Sequence, residues 1–213
     1  MRNDLVAKRT CMGIIALIAW LGIILQFYLI LQTGGSTGYS TLELTINFFS
    51  YFTILSNLLV AVSLSSILIA PHSGLGSFFS GIPVQSAIAV YIFIVGLVYN
   101  LVLRGILILT GLNWVVDNIL HVLVPVLYLL YWFVFTPKKA LHWKDIVPWL
   151  IFPGLYLIYS LIRGPLANWY PYPFLDTDKL GYGKVVINSF FVFVAFLVIS
   201  LLLVAYNRSA KRN

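Results

Sequence analysis

Six continuous apolar runs, parted by short stretches rich in glycine and proline, constrain this chain more than any other feature. They cover residues 11–31, 44–70, 83–109, 116–135, 146–163 and 184–206. A helix needs about 20 apolar residues to cross the hydrocarbon core of a bilayer, and each run approaches or exceeds that length. The breakers are Gly34-Gly35-Ser36, the glycine-rich stretch from Pro71 to Pro83, Thr110-Gly111, Thr136-Pro137 and Gly164-Pro165. None of the runs alternates polar and apolar residues, as a membrane barrel strand must. The sequence therefore predicts an all-α integral membrane protein: one domain over residues 1–213, built as a bundle of six transmembrane helices.

Composition excludes the other classes. Of 213 residues, 61% are hydrophobic and 9% charged. Soluble domains run at about 45–50% apolar and about 25% charged, so a soluble enzyme and a disordered chain are both ruled out. The net charge of +7 is spread too thinly for a nucleic-acid-binding stripe. The single cysteine, Cys11, allows no internal disulfide and no cysteine-based zinc site. No two histidines have metal-ligand spacing, so no metal and no cofactor is expected. Arg2, Lys8 and Arg9 before an apolar run look signal-like. That run is too long for a cleaved signal and has no small-residue cleavage site, so it reads as the first span.

Six spans place both termini on one side, and lysine and arginine choose which. Arg2, Lys8, Arg9, Lys138, Lys139, Lys144, Arg208, Lys211 and Arg212 fall on the side of the termini. Only Lys179, Lys184 and the boundary residue Arg163 fall on the other. Both termini are expected in the cytoplasm, in the style of a bacterial inner (plasma) membrane protein.

Ionisable groups inside a span are expensive and mark function by default. Here they are Arg104 and His121, with Asp117 one turn before the histidine. Amides that accompany them are Asn57, Asn100, Asn118 and Asn188. Counted at 1.5 Å per residue, Thr53 lies roughly 13 Å below the outer start of its run, with His121 and Arg104 roughly 8 Å from theirs. The polar groups gather in the outer half of the bundle, which points to a cavity open toward the outer leaflet. Thr53 and Asn57, Asn100 and Arg104, and Asp117 and His121 are each spaced i,i+4 and so share a face. A carboxylate one turn before a histidine can accept one ring N–H and leave the other nitrogen as a base. Bland readings stand beside these. A span threonine commonly bonds the carbonyl one turn back, asparagines serve as interhelical glue, Arg104 can pair with Asp117, and Asp117 can cap its helix.

Three segments carry a family resemblance. Phe-Phe-Ser-Tyr-Phe-Thr53-Ile-Leu-Ser-Asn57 resembles the threonine segment of the androgen-induced protein (FAR-17a-like) family. Asp117-Asn-Ile-Leu-His121-Val-Leu-Val-Pro125 is similar to its histidine segment, and Trp169-Tyr-Pro-Tyr172-Pro-Phe-Leu-Asp176 to the motif before its last span. Order, spacing and the six-span layout agree, and the likeness is greatest to the small, uncharacterised bacterial relatives. Animal members are membrane hydrolases of fatty acid esters of hydroxy fatty acids that require a threonine and a histidine. The resemblance thus implies a fatty-acyl ester hydrolase with Thr53 as nucleophile and His121 as base. Asp117 or Asn118 would orient the histidine. Asn57, Asn100 or Asn188 would meet the oxyanion, and Arg104 would suit a carboxylate. The partners implied are membrane lipids or fatty-acyl esters.

Two rivals use the same residues. A lipid- or amphiphile-binding or transport protein would hold its ligand in this cavity without cleaving it. An assembly subunit or membrane chaperone would use the polar groups only to join helices. The topology itself is testable: a fluorescent protein fused after Asn213 should fluoresce in bacterial cells, and alkaline phosphatase at the same place should be inactive. The opposite pattern would place the termini outside.

Overall fold

The computed structural model describes residues 2–34, 38–106 and 108–210. Gly35 and Ser36 of the first breaker, Leu107 within the predicted third run, and the charges of Lys211 and Arg212 lie outside them, as does the Arg2 side chain. Among the described residues the regular structure is helical and no strand occurs. Six helices are long and apolar enough to cross a membrane: Asn3–Gln32, Phe52–Ile69, Ile82–Leu103, Gly111–Phe135, Trp143–Ala167 and Thr177–Ser209. The chain divides into two compact units, Met1–Pro137 and Lys138–Asn213.

The first unit comprises α1 (Arg2–Gly34), α2 (Thr41–Phe49), α3 (Phe52–Ile69), α4 (Gly74–Ser80), α5 (Ile82–Val98), α6 (Gly111–Asn118) and α7 (Val124–Phe135). A capping box opens α2. The Ser40 hydroxyl accepts from the Glu43 amide at 3.2 Å, and the Glu43 carboxylate takes the Ser40 hydroxyl and amide at 2.7 Å each. Those donors, the hydroxyl first, hold the Glu43 carboxyl below the usual carboxylate range.

Two breaks correct the predicted spans. The run from Leu44 to Ala70 is not one helix. The Ser50 hydroxyl donates to the Ile46 carbonyl at 2.6 Å, the Ser50 amide to the Asn47 carbonyl at 3.0 Å, and Tyr51 is extended (φ −81, ψ 127). A new helix starts at Phe52, so Thr53 sits in a first turn and not deep along a continuous span. The third span ends at Leu103, well before residue 109. Arg104 is extended, and Gly105 takes a left-handed φ of 91, open to glycine and resisted by side-chain residues. The fourth span begins at Gly111 instead of Val116, which leaves Asp117 inside a helix and not at its cap.

Small residues let the helices of this unit approach closely. α1 packs on α3 and α7, α3 on α5, and α5 on α7. Ala19, Ala61 and Ala89 are fully buried between them. A Cβ on Gly22 would meet the Ile119 Cγ2 at 2.7 Å. One on Gly96 would meet the His121 carbonyl oxygen and Pro125 at 3.3 Å. Away from these contacts, a second polar network ties α5 to α7, in a region whose sequence reads as almost wholly aliphatic and aromatic. Tyr128 Oη donates to the Gln85 carbonyl at 3.2 Å, Tyr131 Oη to Gln85 Oε1 at 3.2 Å, and Trp132 Nε1 to Ser86 Oγ at 2.9 Å. These aromatic side chains bury their bodies while their polar tips stay paired.

The second unit comprises α8 (Ile146–Ala167) and α9 (Thr177–Ser209), which pack on each other. Asp176 caps α9: its Oδ1 accepts the amides of Asp178 and Lys179 at 3.1 Å, and its Oδ2 lies 3.0 Å from Lys179 Nζ. The acid of the Tyr-Pro-Phe-Leu-Asp segment is thus a helix start. Asn207 holds the preceding loop, its Oδ1 accepting from the amides of Ala140 and Leu141 at 3.0 and 3.1 Å.

Overfilling the close approach at Gly96 should cost about 1–3 kcal/mol. Gly96→Val is expected to lower the denaturation midpoint in detergent, while Gly154→Val, where a Cβ meets nothing within 4 Å, should change it little. Equal effects would contradict the packing described.

Candidate active site

The site starts from a defect in a helix. Pro125 has no N–H, so it cannot bond the His121 carbonyl four residues back. The Val124 amide reaches five residues back, to the Ile119 carbonyl. The Leu120 carbonyl therefore loses its helical donor, and the residue after Val124 is the proline. The helix widens into a π turn over Ile119–Leu123, a form often found at functional sites. A second π turn covers Tyr99–Leu103, with the Arg104 amide on the Tyr99 carbonyl at 2.7 Å.

Two asparagines fill the vacancies. Asn57 Nδ2 donates to the Leu120 carbonyl at 3.2 Å and to the Thr53 carbonyl at 2.8 Å. Asn100 Nδ2 donates to the Gly96 carbonyl at 2.7 Å and to the His121 carbonyl at 3.4 Å. A buried carbonyl left unpaired costs about 1–3 kcal/mol, so each amide locks its own helix to the histidine turn.

The lock aims the imidazole. His121 Nδ1 lies 2.9 Å from the Asp117 carbonyl oxygen and 3.0 Å from Asp117 Oδ1. Two acceptors around Nδ1 assign the proton there. Nε2 is then a lone-pair nitrogen, and it faces Thr53 Oγ1 at 3.3 Å. Asp117 Oδ2 accepts a hydrogen bond from the Tyr99 hydroxyl. The Tyr99 ring also stacks on the His121 ring, with centroids 3.9 Å apart and planes inclined by 16°. Thr53 and Asp117 are buried, while His121 keeps 16% of its side chain accessible. A hydroxyl, an imidazole and a carboxylate thus stand in series from α3 to α6.

The other predicted residues fall around or apart from this series. Arg104 is exposed, with its guanidinium 5.5 Å from the Tyr99 ring centre. It donates to Asn118 Oδ1 at 2.9 Å instead of pairing with Asp117. Asn100 and Arg104, at the two ends of a π turn, reach different groups of the neighbouring segment, the His121 carbonyl and Asn118 Oδ1. Asn118 donates to the Trp114 carbonyl at 2.8 Å, and the partner on the histidine is Asp117. Asn188 belongs to the second unit and donates to the Phe174 carbonyl at 3.1 Å, tying α9 to the turn before it. Among the described residues Asn57 Oδ1 is buried with no hydrogen-bond partner, and no group of three histidine, cysteine, aspartate or glutamate side chains gathers at a metal distance. Tyr99 is the site residue that sequence spacing overlooks. Only its place beside Asn100 hints at it.

Comparison with family models, with curated proteins and with solved structures found no match.

Replacing Asn57 with Ala orphans the Leu120 carbonyl and removes the extra side-chain donor from the Thr53 carbonyl. The variant should lose about 1–3 kcal/mol per unpaired group, read as a lower denaturation midpoint, with Asn100→Ala losing less because one of its bonds is long. An Asn57→Ala midpoint equal to wild type would remove the asparagine lock.

Proposed function

We propose that the chain is an intramembrane hydrolase of fatty-acyl esters, with Thr53 as nucleophile and His121 as general base. The observation that carries this reading is the 3.3 Å approach of Thr53 Oγ1 to His121 Nε2 while Asp117 holds Nδ1. A threonine hydroxyl is a weak nucleophile at its free pKa and needs such a base. The likeness of the threonine and histidine segments to the androgen-induced protein family supports the same reading.

In the proposed reaction His121 Nε2 takes the Thr53 proton as Oγ1 bonds to the ester carbonyl carbon. The tetrahedral oxyanion collapses and expels the alcohol portion, which receives the proton from the imidazolium. Water then attacks the acyl-threonine, again giving its proton to His121, and the fatty acid leaves as Thr53 is restored. Asp117 stabilises the imidazolium formed twice in the cycle. The committed amides of Asn57 and Asn100 suit a framework role.

Arg104 suits an anionic group of the substrate, such as a free carboxylate. Exposed Leu101, Val102, Ile106 and Ile108 beside it suit acyl chains arriving from lipid. In this reading both termini are cytoplasmic, the site opens toward the outer leaflet, and the membrane is the bacterial inner membrane. A rival, an amphiphile-binding protein that cleaves nothing, is favoured by the same engagement of the asparagine amides with main chain.

Purified protein in detergent or nanodiscs should release fatty acid from a fatty-acyl ester. Thr53→Ala and His121→Ala should each reduce turnover by at least about 10³-fold, with Asp117→Asn intermediate. Lipid uptake without product, unchanged in the variants, would replace hydrolysis by binding.

A further inference from the structure

Tyr99 touches both members of the orienting pair. Its ring lies 3.9 Å from the His121 ring and nearly parallel to it, and its hydroxyl donates to the Asp117 oxygen that the histidine does not use. The two contacts are geometrically separate. Stacking fixes the plane of the imidazole, which otherwise pivots about its own bonds. The hydroxyl fixes the carboxylate, so that Oδ1 stays on Nδ1. Tyr99 begins the π turn that ends at the extended Arg104. On the same ring sits the Arg104 guanidinium, at 5.5 Å. The groups facing the pair from neighbouring elements are Thr53 from α3, and Tyr99 with Arg104 from the turn after α5.

We infer that Tyr99 is a positioning residue that holds His121 as a single Nδ1–H tautomer with Nε2 aimed at Thr53. Its consequence for turnover rests on the hydrolase reading. Its consequence for the imidazole does not.

The test uses full-length protein labelled with 15N-histidine in nanodiscs. His72→Gln and His142→Gln variants assign the His121 ring signals. Wild type should show one protonated nitrogen, Nδ1, and one bare nitrogen, Nε2. Tyr99→Leu removes both contacts and should give averaged signals of mixed tautomers. Tyr99→Met replaces it if the leucine variant does not fold. Tyr99→Phe keeps the stack and the main-chain acceptor on Nδ1, so it should keep the tautomer. It should lower kcat on a fatty-acyl ester about tenfold with KM unchanged, as expected for a lost hydrogen bond to a charged partner. A wild-type tautomer pattern in folded Tyr99→Leu or Tyr99→Met would overturn the inference, as would wild-type kcat in Tyr99→Phe. No ester turnover by wild type, with the tautomer response intact, would remove the hydrolase reading and leave the positioning role standing. Turnover abolished by Thr53→Ala, with no tautomer response in Tyr99→Leu, would do the reverse.

Discussion

A proline four residues after a histidine deprives that histidine's carbonyl of its helical hydrogen bond, and most of the first unit can be followed outward from that loss. In water the freed carbonyls would be solvated. Inside a membrane they must find protein donors. Asn57 from α3 and Asn100 from the end of α5 supply them, and both helices are drawn to one turn. Gly96 permits the approach, since a Cβ there would already press on the His121 carbonyl. The widened turn also places the His121 ring one turn from Asp117 and opposite Thr53. One missing N–H therefore sets both the packing and the direction of the imidazole.

The same economy explains why so few polar residues suffice. Each asparagine amide in the site works on main-chain oxygen, and the hydroxyl, the imidazole and the carboxylate meet one another. Their order resembles that of acyl-transfer triads found on unrelated folds, in which geometry and not chain position identifies the roles. Tyr99 adds a wall to this series, and Arg104 stands at its exposed edge among aliphatic side chains.

Much of the architecture was legible in the runs of apolar residues, because span length is dictated by the bilayer and not by tertiary detail. The ends were less so. Nothing in the run from Leu44 to Ala70 announces that Ser50 will bond back to Ile46 and let Tyr51 extend, yet that break decides where Thr53 lies. Asp117 and His121 were readable as a pair because they stand four residues apart, a spacing that keeps them in contact even as the helix widens at Ile119. Asn100 and Arg104 have the same spacing, yet they bond different groups across the gap, the His121 carbonyl and Asn118, and spacing does not say which. The task of the asparagines depends on which carbonyls a proline and a π turn leave vacant, and that requires the neighbouring helix. Tyr99 was hidden for the same reason: its partners lie across α6, at no fixed sequence spacing.

The proposed hydrolysis requires that Thr53 Oγ1 attack and that His121 make it able to. Mass-spectrometric mapping of the adduct formed by a fluorophosphonate ester probe tests this most directly. The expected result is a single adduct on the peptide bearing Thr53 Oγ1, absent from His121→Ala protein of wild-type stability. Ester turnover accompanied by an adduct on another residue, or by a Thr53 adduct that forms equally well without His121, would contradict it.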